Sequence, residues 1–179
     1  MSKENIEVVN IVVSTSLEHD IPLEKMAASL SNTEYNPEQF PGLVIRIREP
    51  KTSALIFSSG KVVCTGARSM EKVEQSIDKI IKSLKKIGIE IKIKPEINVQ
   101  NIVASGNIGM DLNLNVLAMK LENTEYEPEQ FPGLVYKLDE AKATFLLFSN
   151  GKIVCTGTKS EDEVELAVER LIQNLKKVQ

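Results

Sequence analysis

The sequence predicts an α+β protein in which one unit of about 90 residues occurs twice. Residues 32–44 read NTEYNPEQFPGLV and residues 123–135 read NTEYEPEQFPGLV, with one difference, Asn36 against Glu127. The same offset of 91 residues runs without a gap to both ends of the chain. Because a solenoid needs about three copies to bury a continuous core, two copies indicate a pseudo-twofold pair.

Each repeat, residues 1–91 and 92–179, is predicted to run strand, helix, antiparallel strands, long helix. The first strand is rich in β-branched residues, Pro22 suits the first turn of a helix, and turn residues separate the later strands. In the first repeat these elements are Glu7–Ser14, Pro22–Leu30, Leu43–Arg48, Ala54–Phe57, Lys61–Thr65, which Gly66 ends, and Met70–Ile87.

Each long helix shows a single apolar stripe, which leaves helices available to cover one face of a sheet. The stripes are Val73, Ile77, Ile80, Ile81, Leu84 and Ile87, and then Val164, Val168, Leu171, Ile172, Leu175 and Val178. Ser160 and Glu163 have the spacing of a capping box at the start of the second long helix. Between the repeats, Ile89–Pro95 alternates in polarity, which favours a short strand or an ordered crossing.

Side chains alternate between the two faces of a strand, and both predicted faces of this sheet are largely apolar. We call one the closed face; in the first repeat it consists of Ile11, Val13, Leu43, Ile45, Ile47, Ala54, Ile56, Val62 and Cys64. The other, the open face, consists of Asn10, Val12, Ser14, Val44, Arg46, Arg48, Leu55, Phe57, Val63 and Thr65. Its second copy consists of Asn101, Val103, Ser105, Val135, Lys137, Leu146, Phe148, Val154 and Thr156. A sheet covered by helices on one side normally has a polar second face, so the open face is predicted to be an interface.

Composition excludes several classes of protein. With 42% apolar and 26% charged residues the chain can form a core and a polar surface, and no apolar run approaches the ~18 residues of a membrane span. The start MSKENIEVV lacks the pattern of a signal peptide, so the expected location is the cytoplasm. The net charge of −3 is unequally divided: the first repeat has net charge 0 and the second −3.

These features together resemble the TATA-box-binding protein family, and the resemblance covers essentially the whole chain. It depends on the gapless double repeat, the paired EYNPEQFPGL and EYEPEQFPGL loops, REPKTSALIFSSGKVVCTGA, and QNIVAS. The resemblance implies an archaeal-type general transcription initiation factor. The fold it implies is a pseudo-twofold saddle, one curved antiparallel sheet of about ten strands with helices on the convex side. Its open face would lie on the minor groove of a TATA box. The protein would then be associated with the nucleoid of an archaeal cell.

The resemblance also assigns roles to the open face. The intercalating residues would be Phe40 and Phe57 in one pair and Phe131 and Phe148 in the other, since a flat ring can enter an opened base step, as this family itself exemplifies. Minor-groove contacts would come from Asn10, Asn101, Val12, Val103, Leu55, Leu146, Val63, Val154, Thr65 and Thr156. Both A·T and T·A offer only acceptors in the minor groove, which suits an amide donor.

Phosphate contacts would position the protein without reading sequence. The basic residues placed for them are Arg46, Arg48, Lys61, Arg68, Lys137, Lys152 and Lys159. The chain departs from many relatives at Glu38, Gln39, Glu129 and Gln130, where basic residues are common, and Asp139 stands at the repeat position of Arg48.

The second loop is the more acidic one, with Glu125, Glu127 and Glu129 against Glu34, Asn36 and Glu38 in the first. In the family this loop docks transcription factor B, which is basic. We therefore expect Glu125, Glu127 and Glu129 to bind that partner, which would help to set promoter direction and recruit RNA polymerase.

A homodimer surface that never binds DNA is the alternative role for the open face, and it explains the Val and Leu but not the Asn and basic residues. Dimerisation through the same face is also an expectation for the DNA-free protein. Catalysis is rejected, because no Gly-rich phosphate loop, Ser/Cys–His arrangement or metal-ligand spacing is found. Cys64 and Cys155 are interpreted as buried apolar residues, and no cofactor or metal is expected.

Overall fold

The computed structural model describes residues 5–179 and has the predicted α+β fold, with ten strands in one antiparallel sheet and four α-helices. Residues 1–4, the start of the segment judged to lack a signal-peptide pattern, lie outside the described residues. The first repeat contains β1 (Ile6–Ser16), α1 (Leu23–Ser29), β2 (Thr33–Glu34), β3 (Leu43–Ile47), β4 (Thr52–Ile56), β5 (Lys61–Ala67) and α2 (Met70–Lys86). The second contains β6 (Asn98–Asn107), α3 (Leu114–Lys120), β7 (Thr124–Glu125), β8 (Leu134–Leu138), β9 (Ala143–Leu147), β10 (Lys152–Thr158) and α4 (Glu161–Val178).

The strand order is the same in both repeats when each is read from its two-residue strand. It is β2-β3-β4-β5-β1 in the first repeat and β7-β8-β9-β10-β6 in the second. Neighbouring strands are antiparallel, and short hairpins join β3 to β4 and β4 to β5. This order puts the first strand of each repeat beside its last strand, so that Val13 is opposite Cys64. In the second repeat Ala104 is opposite Cys155 in the same way.

Contacts group the chain into two compact units, residues 10–100 (the first unit) and residues 5–9 with 101–179 (the second unit). The first residues of each repeat therefore belong to the unit formed mainly by the other repeat: residues 5–9 belong to the second unit, and residues 92–100 to the first. In the first unit the Thr15 hydroxyl donates to the carbonyl of Glu96 at 2.6 Å. In the second, the carbonyl of Asn5 occupies the space that a Cβ on Gly106 would need. The repeat boundary at residue 91 stays a prediction about the sequence.

The long helices begin and pack as predicted. Val73, Ile80 and Leu84 on α2 are fully buried, and so are Leu171 and Leu175 on α4. The capping box forms in part. The Ser160 hydroxyl accepts from the Glu163 amide at 3.1 Å, whereas the Glu163 carboxylate accepts from the amide of Lys159, one residue before the cap.

Several boundaries differ from the predictions. Pro22 is the N-cap of α1 instead of lying in its first turn, and Ile89–Pro95 forms no strand. Gly66 does not end β5, because the strand runs through a β-bulge to Ala67. Arg48 lies in the turn after β3. The two-residue strands β2 and β7 were not predicted, because two residues carry too little periodicity to be recognised.

Candidate nucleic-acid interface

The structure separates a closed and an open sheet face where the alternation of side chains predicted them. All nine residues assigned to the closed face of the first repeat are buried, and Val13, Ile56 and Cys64 have no exposed surface. No residue assigned to the open face of either repeat is buried. The prediction of an uncovered, largely apolar sheet face is therefore confirmed.

Strand register arranges this open face in two rows within each unit. The apolar row consists of Val44, Leu55 and Val63 in the first unit and Val135, Leu146 and Val154 in the second. The polar row consists of Arg46, Ser53 and Thr65 in the first unit and Lys137, Thr144 and Thr156 in the second. Val12 and Val103 are half-buried on the same face of β1 and β6. Each unit thus presents an apolar stripe beside a polar one.

Two phenylalanines lie together beside the apolar row of the first unit, on the side away from the polar row. Phe57 directly follows β4, where its amide donates to the Lys61 carbonyl at 2.9 Å across the hairpin. The Phe40 amide donates to the carbonyl of Asn36 at 3.0 Å in the loop before β3. The ring centroids are 5.8 Å apart at an interplanar angle of 64°, an edge-to-face contact. Phe40 remains 41% exposed, which is unusual for a large aromatic residue.

The second unit repeats this arrangement closely. Phe131 and Phe148 have centroids 5.9 Å apart at 69°, and Phe131 is 44% exposed. Their amides donate to the carbonyls of Glu127 and Lys152, each at 3.0 Å. Since backbone hydrogen bonds hold both members of each pair, the pairs are features of the fold and not accidents of side-chain packing.

The side-chain amide of Asn10 has a fixed orientation. Its Oδ1 accepts from the backbone amide of Gly66 at 2.6 Å, and a backbone N–H can only donate, so the oxygen must face it. The Thr65 hydroxyl lies 3.1 Å from Nδ2 and 3.3 Å from Oδ1. Nδ2 has two protons, so one is directed at Thr65 and the other is available to an acceptor at the open face.

Asn101 has the same surroundings. Its Oδ1 accepts from the Gly157 amide at 2.7 Å, and its Nδ2 donates to the Thr156 hydroxyl at 2.9 Å. The β-bulges explain why these glycine amides are available: Gly66 and Gly157 have φ of +101° and +96°, and the ladder shifts register there. At each bulge one backbone N–H does not donate within the sheet, and it donates to the asparagine Oδ1 instead.

The basic residues predicted to contact phosphate are all exposed, but their surroundings differ. Arg46 Nη1 lies 3.6 Å from Glu34 Oε1 across β2 and β3. Lys61 and Lys152 begin β5 and β10 on the side of the open face, whereas Arg68 and Lys159 follow the ends of these strands. Arg48, being in a turn, is not part of the polar row. Its counterpart Asp139 begins a short 3₁₀ helix, Asp139–Ala141.

Glu125, Glu127 and Glu129 are exposed, Glu125 within β7 and the other two in the loop that follows. The loop turns through its backbone, because the carbonyl of residue 127 accepts from the amides of Gln130 and Phe131. The carbonyl of Asn36 accepts the equivalent pair in the first loop. Exchanging Asn for Glu therefore changes charge at this position without changing the turn.

Sequence reasoning missed three groups of residues at this interface. Ser53 and Thr144 were left out because β4 and β9 begin earlier than predicted. The Gly66 and Gly157 amides were missed because the bulge is set by long-range pairing. Gly42 and Gly133, which lie against the phenylalanine pairs, were missed because their role depends on three-dimensional proximity.

Both cysteines are buried and unpaired, as interpreted from the sequence. Burial raises the pKa of the Cys155 thiol to about 11, against a smaller opposing hydrogen bond from Thr158. Burial also raises the pKa of Cys64, opposed by Ser76 and then Thr52. In residues 5–179 no group of three or more His, Cys, Asp or Glu side chains is placed to hold a metal ion. Every helix described is too short or too polar to cross a bilayer.

Comparison with known proteins gives one consistent result. The family model described as "Transcription factor TFIID (or TATA-binding protein, TBP)" matches residues 5–87 and again 96–178. The chain is 52% identical over 174 residues to the TATA-box-binding protein of Methanocaldococcus jannaschii, covering 97% of this chain and 95% of the relative. It is 54% identical over 177 residues to that of Picrophilus torridus, covering 98% and 96%. The solved structure titled "Methanococcus jannaschii TBP" superposes with a TM-score of 0.92 at 52% identity, covering 97% of this chain and 99% of the other.

Proposed function

The chain belongs to the TATA-box-binding protein family, and from this premise we propose that it is a general initiation factor that binds and kinks A·T-rich promoter DNA through its open sheet face. The family is one of DNA-binding transcription factors and not of enzymes. The observation on which the proposal chiefly depends is the edge-to-face phenylalanine pair beside an uncovered apolar row, present in both units.

Kinking follows from the properties of these side chains. An apolar wedge that enters a base step replaces lost stacking with apolar contact, and unstacking costs a few kcal/mol per step. The rows of Val and Leu beside each pair offset that cost by covering more of the opened minor groove. Two pairs give two kinks, one for each repeat.

Preference for A·T follows from the fixed asparagines. With Oδ1 of Asn10 held by Gly66, the side chain presents a donor, and the minor-groove edges of A·T and T·A pairs present only acceptors. On this proposal the half-buried valines of the same face crowd out the amino group of guanine. The exposed Arg and Lys residues at the borders then contact phosphates, which adds affinity without adding sequence preference.

The partners proposed are double-stranded TATA-box DNA, transcription factor B and, through that factor, RNA polymerase. The acidic second loop supports transcription factor B as a partner. Its residues Glu125, Glu127 and Glu129 together present a negative surface to a basic protein. Docking on one loop only gives a protein built from two similar repeats a direction on DNA. The proposed location is the cytoplasm, at the nucleoid.

A homodimer formed by the open face is the second candidate, and it is favoured by the same uncovered apolar surface. It predicts that the oligomer and the DNA complex exclude each other. Light scattering of the protein with and without duplex distinguishes a dimer that DNA dissociates from a dimer that persists when DNA is added.

The test of the main proposal measures affinity and bending at one fixed salt concentration, because the affinity depends strongly on salt. A TATA duplex with fluorophores at both ends is compared with a G·C-substituted duplex. Wild type should bind the TATA duplex selectively and shorten its end-to-end distance, and Phe57→Ala with Phe148→Ala should abolish the bend. Leu166→Ala, which removes a 65% exposed apolar side chain from α4, is the control and should behave as wild type. Equal binding to both duplexes, even with transcription factor B present, would favour the dimer.

A further inference from the structure

Gly42 lies directly against the first phenylalanine pair. An ideal Cβ built on this residue would be 2.7 Å from Cε2 of Phe40 and 3.1 Å from Cε1 of Phe57. Real Cβ atoms essentially never approach another heavy atom within 3.0 Å, so even alanine would force a ring to move. The nearest atoms all belong to the two rings, so the conflict is with the pair itself.

The second repeat shows the same geometry independently. A Cβ on Gly133 would be 2.7 Å from Cε2 of Phe131 and 3.0 Å from Cε1 of Phe148. Two glycines that are 91 residues apart therefore leave the same space beside the same two rings.

Backbone conformation does not explain these glycines. Six glycines of the described chain have positive φ, among them Gly66 and Gly157 at the bulges, but Gly42 and Gly133 do not. A side chain at either position would displace a ring, because the rings occupy the place of its Cβ. The requirement for glycine at these two positions thus comes from the phenylalanine pair and not from the backbone of the strand that follows.

We propose that Gly42 and Gly133 are positioning residues for DNA kinking, because the absence of a side chain lets each pair of rings meet edge to face and enter a base step as one wedge. This inference rests on the proposed function and deepens it. Neither glycine needs to touch DNA. An added methyl group separates the rings, and two separated rings present a wider, misaligned edge to the opened step.

Gly133→Ala is the direct test, with Gly42→Ala as its repeat-equivalent partner. Because the sequence has only five Phe, NMR can follow contacts between the rings in the free protein. Gly133→Ala should lose the cross-peaks between Phe131 and Phe148 and keep those between Phe40 and Phe57. On the TATA duplex the variant should lose roughly half of the bend, since one of two kinks fails, and should bind about tenfold more weakly.

A double-mutant cycle separates ring positioning from a general structural effect. In a Phe131→Ala background the nearer of the two rings is gone and only the Phe148 ring, 3.0 Å away, remains beside the methyl group, so adding Gly133→Ala should change bend and affinity much less than it does in wild type. If Gly133→Ala alone fails to fold, the ring conflict predicts that Phe131→Ala restores folding. Failure to fold of the single variant, of the double variant and of Gly133→Ala with both Phe131→Ala and Phe148→Ala would overturn the proposal, because the conflict would then lie with neither ring.

The outcomes distinguish this inference from the proposed function. If wild type does not bend the TATA duplex, the proposed function is wrong. If wild type bends it and Gly133→Ala bends it equally, only the positioning role is wrong. An equal loss in the wild-type and Phe131→Ala backgrounds would also overturn the positioning role, because the glycine would then act without the ring.

Discussion

The two units build the same interface with different charges. Where the backbone fixes a group, the copies agree: the asparagine oxygens lie 2.6 and 2.7 Å from their glycine amides, and the ring pairs have centroids 5.8 and 5.9 Å apart. The differences between the copies that alter charge lie at exposed side chains, as at Asn36 and Glu127 or at Arg48 and Asp139. We infer that the shared groups bind DNA and that the diverged groups give the complex its direction.

The largest expected effect tests the shared part. Asn10→Asp and Asn101→Asp keep an oxygen for the glycine amide, so the bulge should survive, but they replace the donor by a charged acceptor. Each should weaken binding to the TATA duplex about a hundredfold, because an unpaired charge against groove acceptors costs roughly 3 kcal/mol. Titration by fluorescence anisotropy measures this loss.

Thermal unfolding is the control for these variants, and their melting temperatures should stay close to that of wild type. Nearly equal losses of affinity would confirm that the repeats share base contact equally. If Asn10→Asp were as tight as wild type while Asn101→Asp was not, the symmetry of the interface would have to be abandoned.

Most of the fold could be predicted because the chemistry of each strand repeats every second residue. The closed face was assigned without error, since Ile, Val and Leu at alternate positions have few other arrangements. The bulges at Gly66 and Gly157 could not be predicted in this way. A bulge is defined by the strand opposite, and the sequence around Gly66 reads equally well as the end of a strand.

The site was predictable in its residue types and not in its contacts. Alternation placed Asn10 on the open face, but only the structure shows which way its amide points. The ring pairs were expected from the family resemblance, whereas the space that Gly42 leaves for one of them is a matter of distances. The Arg46–Glu34 contact depends on β2, which the sequence did not reveal.

The second expected effect tests the diverged loop. Glu127→Arg with Glu129→Arg should weaken assembly of transcription factor B on the protein–DNA complex about thirtyfold, since charge reversal at an interface costs on the order of 2 kcal/mol. Binary DNA binding should persist. A supershift assay with increasing transcription factor B measures both steps on one gel.

Asn36→Arg with Glu38→Arg is the matched control, because it places two arginines at the equivalent positions of a loop with the same backbone turn. It should leave ternary assembly intact. Should both pairs of variants behave alike, or should the second-loop variant assemble normally while binding DNA, the docking hypothesis fails.

A smaller effect distinguishes the cores of the two units and concerns the pH dependence of stability caused by their buried cysteines. The folded protein keeps the Cys155 proton above pH 9.0, where the unfolded thiol loses it, because burial raises the folded pKa to about 11. The contribution of Cys155 to stability is therefore complete below about pH 9 and declines as pH rises toward 11. The decline at pH 10 is on the order of 1 kcal/mol.

Urea unfolding at pH 8 and pH 10 tests this expectation. Cys155→Ala should lose less stability than wild type over this interval. Cys64→Ala should differ from wild type in its pH dependence by less than Cys155→Ala does. The reason is that the hydroxyls of Ser76 and Thr52 oppose the effect of burial on the pKa of Cys64. Identical pH dependence in wild type and Cys155→Ala would contradict the assignment.

The smallest effect concerns Arg46, which contacts Glu34 at 3.6 Å and must leave it to reach a phosphate. Both side chains are well exposed, so the ion pair contributes well under ~1 kcal/mol, and Glu34→Gln should tighten DNA binding only about two- to threefold. Glu125→Gln removes the equivalent charge from the second unit, where Lys137 occupies the repeat position of Arg46. A gain confined to Glu34→Gln means that the ion pair competes with phosphate. Equal gains in both variants mean that each carboxylate simply repels DNA, and the difference between the units at this position would then have no consequence for binding.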